Sequence, residues 1–355
     1  MKDLKYLSAY LLPLITIFGL LRGGSYAYSA VIFIFFVIPI LELFTPYSTA
    51  NYNEEERAAK LANRFFDWLL YLNVPIVYGT IGIFIYVLNT QTLSTSEWIG
   101  HILSVGLVLG SCGINVGHEL GHRYSKSEQL LAKLLFLPSH YTHFFIEHNR
   151  GHHKYVATHE DPASARKNEM LYTFWIRSTI KGYINAWKLE SKRLEGLGTS
   201  FWSIQNEMII FTLAQATYML VILLFTNSIA WMAVMLAGVF GFLLLETINY
   251  IEHYGLRRKQ LPSGRYERVL PIHSWNSNYF MGRIMLYELT RHSDHHYLAS
   301  KKYQVLDHHE ESPELPVGYP AAMLMALVPP LWFAVMNKRI PASSDFVGVN
   351  ASFAA

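Results

Sequence analysis

The sequence predicts an all-α integral membrane protein, six transmembrane helices with a helical cap on one side of the bilayer, and three observations carry that reading. Only 15% of its 355 residues are charged while 52% are hydrophobic. A soluble chain would hold about a quarter of its residues as Asp, Glu, Lys and Arg. Six apolar stretches approach or reach the roughly 20 residues of helix that a bilayer core requires. Finally, there are 16 histidines, a residue ill suited to facing lipid, and most of them cluster at or beyond the ends of those stretches.

The first stretch, residues 6–22, leads almost directly into the second, 26–45. The third covers 67–89 and the fourth 98–117; after a long polar region come the fifth, 208–226, and the sixth, 229–250. They form three hairpins. The opening MKDLKY with its apolar run has the look of a signal peptide, but no small-residue cleavage site follows and the next stretch is already apolar, so it is kept as a membrane helix. A last apolar stretch, 318–336, contains Pro320, Pro329 and Pro330. Interior prolines break a spanning helix, which makes this an interfacial or re-entrant segment.

Orientation follows from the positive-inside rule. With the N-terminus inside, the outer loops are 23–25, 90–97 and 226–228, and Arg22 is the one basic residue beside them. Both termini and a cap made of residues 118–207 and 251–355 then face the cytoplasm. No repeat, low-complexity tract or linker divides the chain, so it is expected to be one domain.

Four histidine clusters lie on that same face. Helix four ends in His118-Glu119-Leu120-Gly121-His122, two imidazoles one turn apart. His148 and His152 repeat that spacing, with His153 on an adjoining face. His253 follows helix six, and His292, His295 and His296 have i, i+3 and i+4 spacing. Nine imidazoles exceed the coordination of one metal and suit two. Nitrogen ligands exclude Mg and Ca and leave Zn, Cu, Fe and Ni. Iron is favoured because two irons bind and reduce O2, whereas two redox-inert zincs have no use for so many ligands. The cap is thus expected to carry a di-iron site. A zinc metalloprotease built on the His118–His122 motif is the alternative of a different class. A metal transporter is disfavoured, since the spans hold almost no ionisable residue apart from Glu246.

Ligating imidazoles normally donate their second N–H to a neighbouring acceptor. Glu119, Glu147, Asp161, Glu252 and Asp294 lie beside the clusters for that purpose, with Asn249 and Asn278 as weaker candidates and His273 and His143 as accessory imidazoles. Nothing in the composition points to nucleic acid.

The stretches NVGHELGHR (115–123), HFFIEHNRGHHKYVATHEDPA (143–163), NYIEHYGL (249–256), HSWNSN (273–278) and RHSDHH (291–296) resemble the integral-membrane alkane 1-monooxygenases (alkane omega-hydroxylases), within the His-rich membrane di-iron desaturases and hydroxylases. WSIQNE (202–207) and LPVGYPAAMLMALVPPLWF (315–333) are also similar to family sequence, so the resemblance covers nearly everything from residue 60 onward. Two departures are Thr290, where the family usually has Gln, and Ile272, where a His commonly precedes His273. Neither falls on the nine candidate ligands.

The resemblance implies O2-dependent terminal hydroxylation of medium-chain n-alkanes to primary alcohols in a bacterial inner membrane. It implies two non-haem irons and electrons from a rubredoxin reduced by an NADH-dependent rubredoxin reductase. Related di-iron enzymes acting on an alkyl-aromatic methyl group or a fatty acyl chain are the nearest alternatives. The single cysteine, Cys112, cannot build a rubredoxin iron site, which takes several thiolates, so the donor is expected to be a separate protein. Basic residues at 150, 154, 166, 167, 257, 258, 301 and 302 are available to dock an acidic carrier. An alkane has no polar handle, so an apolar channel between helices must orient it. Phe33, Phe35, Phe36, Gly106, Gly110 and Gly113 are the candidate walls.

Overall fold

A computed structural model describes residues 2–342; the end of the predicted cap, 343–355, lies outside the described residues. Among the described residues, six helices are long and apolar enough to cross a membrane, and the protein is a multi-pass membrane protein. They are α1 (Asp3–Arg22), α2 (Gly24–Glu42), α3 (Phe65–Thr90), α4 (Thr95–Gly121), α7 (Glu207–Phe225) and α8 (Ser228–His253). The ends at Arg22, Gly24, Thr90, Thr95, Phe225 and Ser228 lie within three residues of the expected ones. The C-terminal ends of α4 and α8 run three or four residues further, so that His118 and His253 are still helical.

Local chemistry sets several of these starts. Ser94 and Glu97 form a reciprocal capping box at the head of α4. Asn206 Oδ1 accepts from the backbone N–H groups of Met208 and Ile209, and Asn227 does the same for Ile229 and Ala230.

α4 is the central helix. Of its apolar window 72% is buried, against 17% for α2 and α7, which turn their side chains to the lipid side. It achieves this by close approach to α8. A Cβ on Gly106 would meet Phe240 and the Ala237 carbonyl at 2.6 and 2.9 Å, so only glycine allows this crossing.

The polar segments gather at one end of the bundle. They include α5 (144–155), α6 (Leu171–Gly196) and α9 (His292–Tyr297). The stretch 318–336 is two short helices, α10 (Tyr319–Ala326) and Pro329–Met336, broken at Leu327 and Val328 as its prolines require. Among the described residues, three segments have π-helical turns, at Phe33–Val37, Leu109–Asn115 and His148–His152.

Candidate metal centre

The nine clustered imidazoles converge, and they divide into two groups. His118, His122, His148, His153 and His295 form one; His152, His253, His292 and His296 form the other. Within each, one nitrogen of every ring lies within 4.8 Å of all the others. The division does not follow the clusters. His148 shares its group with His153, five residues on, because α5 is π-helical there, and a π turn brings i and i+5 to one face. In α9, His292 and His296 are one α turn apart and join the second group, whereas His295 points to the first.

Within the groups the rings turn Nε2 toward Nε2. His118 and His148 are 2.6 Å apart, His153 and His148 2.9 Å, His296 and His292 2.9 Å, and His253 and His292 3.2 Å. The Nδ1 atoms of His118, His148, His253, His292 and His296 and both nitrogens of His295 are buried without a hydrogen-bond partner. Lone pairs packed against lone pairs are unfavourable unless a cation lies between them, so this donor set fits two bound metal ions.

The surroundings hold the rings neutral and ready to ligate. Burial, and then the neighbouring imidazoles, keep His122, His148, His153, His292 and His296 well below the ordinary histidine range. His152 is the exception. Burial pulls it down, but the charge and hydrogen bond of Asp161 more than offset this and raise it.

Of the acidic candidates, two touch a cluster ring. Asp161 Oδ2 lies 2.9 Å from His152 Nδ1 and also accepts from Ser164 Oγ at 2.5 Å. Glu252 Oε2 lies 3.1 Å from His292 Nε2, while its Oε1 accepts from the Tyr319 hydroxyl at 2.6 Å. The others find different partners. Glu119 is held by Arg123, through Nε at 3.0 Å and a terminal guanidinium nitrogen at 2.8 Å. Glu147 accepts from Asn185 at 3.3 Å, and Asp294 is tied to His309 and Lys301. Asn249 reaches Glu246, and Asn278 reaches Glu314 and His308. His273 lies 3.2 Å from Glu267, and His143 packs its ring against Tyr141 and Tyr183. Sequence reasoning passed over Tyr319 and Asn276. The second accepts from Ser293 N and donates to Ser293 Oγ, which pins the start of α9; neither residue carries a local pattern that would mark it.

A cavity of about 70 Å³ runs from His118 into the bundle. Leu12, Ile34, Phe35, Leu107, Leu244 and Met323 are among its largely apolar walls. Phe35 and Gly110 line it. Phe36 is 64% exposed on the outside of the bundle, and Phe33 packs on the core. Gly106 and Gly113 serve helix contacts, to α8 and to the Leu135 carbonyl. The π turns at Phe33–Val37 and Leu109–Asn115 border this cavity, a local widening common where helices carry function.

Two metal-binding groups above an apolar cavity suit oxidative chemistry on a hydrophobic molecule, and known proteins agree. Residues 96–325 match the family described as fatty acid desaturase. Alkane 1-monooxygenase 2 of Pseudomonas aeruginosa is 40% identical over 316 residues, 87% of this chain and 82% of that protein. Alkane 1-monooxygenase 2 of Alcanivorax borkumensis is 38% identical over 357 residues, 96% of this chain and 92% of its own. The xylene/toluene monooxygenase hydroxylase component of Pseudomonas putida is more distant, at 27% over 95% of this chain and 89% of that one. The chain belongs to the alkane 1-monooxygenase family, within the fatty acid desaturase family.

Proposed function

We propose that this protein hydroxylates the terminal carbon of medium-chain n-alkanes with O2, giving primary alcohols, at two irons held by the nine histidines. The observation that supports it most directly is the pairing of a five-imidazole and a four-imidazole group at the end of an apolar cavity whose wall includes His118. Two irons would supply the oxidant that an unactivated C–H bond requires and that side chains alone lack.

The chain's own residues do the rest. The cavity walls exclude water and present the chain end-on, so selectivity for the terminal carbon comes from shape. Asp161 fixes the His152 ring so that Nε2 faces its group. Tyr319 holds the Glu252 carboxylate against His292. Glu119, the carboxylate of the His118–His122 motif, is committed to Arg123 and is not free to act as a protease base.

Electrons are proposed to come from rubredoxin and to enter through the five-imidazole group. Two of its rings, His122 and His153, are only partly buried, whereas all four rings of the other group are buried. Lys154, next to His153, is exposed. In contrast, Arg150 is paired with Glu190 and Glu207, Lys301 with Asp294 and Asp307, and Lys302 with Asp67, which lowers the net charge they offer an acidic carrier. The histidine end is proposed to face the cytoplasm of a bacterial inner membrane, as the distribution of Lys and Arg requires.

The reading is tested by metal analysis of purified protein together with an O2-dependent assay on octane and dodecane, supplied with rubredoxin and its reductase. Two irons per chain and 1-alkanol product are expected; one zinc, no iron and no alcohol would overturn it.

A further inference from the structure

Ser111, Asn115, His118 and Tyr319 are the polar side chains in an otherwise apolar cavity wall, and Asn115 carries an acceptor that is unused. Asn115 lies on α4 about one turn before His118 and is 6% exposed. Its Nδ2 donates to the Leu286 carbonyl at 3.3 Å, and its Oδ1 has no partner. Turning the amide over would set Oδ1 against that carbonyl, so the spare atom is an acceptor. Of the other polar groups in the wall, the Tyr319 hydroxyl is committed to Glu252, and His118 turns Nε2 toward its imidazole group, which leaves its unpartnered Nδ1 as an N–H donor and not an acceptor. Ser111 stands a further turn away from His118.

A buried acceptor left without a donor is costly, and an alkane has no donor to give. A primary alcohol has one, carried on the carbon that sits nearest His118. We propose that Asn115 Oδ1 accepts a hydrogen bond from the hydroxyl of a primary alcohol, so that the cavity holds the alcohol more tightly than the alkane of the same length. The proposal rests on the alkane reading above and adds a polar recognition element to it. Product then leaves against this bond, and a long-chain alcohol competes with the incoming alkane for the same space.

Equilibrium binding without turnover tests it. The iron-loaded protein in lipid nanodiscs, with no reductant, is titrated with radiolabelled dodecane, displaced by dodecane, 1-dodecanol or 1-methoxyundecane, each expressed per mole of lipid. The ether matches the alcohol in length but lacks the O–H donor. The expected result is that 1-dodecanol displaces label about tenfold more effectively than either dodecane or the ether. In Asn115→Leu the alcohol-to-alkane ratio falls to near one, and in metal-free wild-type protein it persists. Equal binding of alcohol and ether in the wild type, or a preference that survives Asn115→Leu, overturns the proposal while leaving the alkane reading intact. If dodecane and 1-dodecanol both fail to bind, the alkane reading falls and this one with it. The ether comparison needs no variant and stands even if Asn115→Leu does not fold.

Discussion

Asp161 Oδ2 accepts a hydrogen bond from His152 Nδ1 at 2.9 Å, between two fully buried side chains nine positions apart in the chain. Among the contacts in the four-imidazole group it is the one that fixes which nitrogen of the His152 ring faces that group. Asp161→Ala is expected to weaken metal binding in that group about 10- to 100-fold. Iron per chain after dialysis against a weak chelator should fall from two toward one, and an unchanged ratio would show that His152 needs no orienting partner.

His295 and His296 are neighbours in sequence but face different groups. Ala at either position should abolish hydroxylation, yet each should empty a different metal site. Mössbauer spectra of the two iron-57-loaded variants should therefore retain different signals. Identical residual spectra would contradict the division into five and four.

Glu119 makes a buried ion pair with Arg123 and accepts from the backbone N–H of Tyr303. Glu119→Gln is expected to cost about 2 kcal/mol of stability, as loss of a charged buried hydrogen bond does, while iron content stays at the wild-type level. Thermal unfolding and metal analysis read the two effects separately. Loss of metal without loss of stability would return Glu119 to the metal site.

Ser111 lines the cavity about two helical turns from His118, roughly 10 Å along the helix. Ser111→Phe should shorten the usable channel, lowering turnover of dodecane about tenfold or more through overpacking while sparing shorter alkanes. Product analysis across hexane to hexadecane checks this; a uniform loss at every length would mean that the chain does not pass this position.

Lys154 is exposed beside the partly buried His153 of the five-imidazole group. Lys154→Glu should raise the KM for rubredoxin several-fold with little change in kcat, and salt should have the same effect on the wild type, since a rim charge acts chiefly on association. An unchanged KM would move the docking site elsewhere.

The sequence by itself marked out the six apolar helices and the nine imidazoles that the fold brings together. Hydropathy over about 20 residues and i, i+4 histidine spacing are local properties, and the bilayer enforces both the helices and their ends. Only the tertiary structure decided how the imidazoles divide. The π turn at His148–His152 shifts the register by one residue, so His148 pairs with His153 rather than with His152, a change no periodicity reveals. It also decided which acids serve the rings. Glu119 is in the cluster's own motif but lies beside Arg123, whereas Asp161 reaches His152 and Glu252 reaches His292 across helix geometry. The cavity walls were legible in part, at Phe35 and Gly110, because aromatic and small residues serve lipid contact, helix packing and substrate equally well until the neighbouring helix is in place.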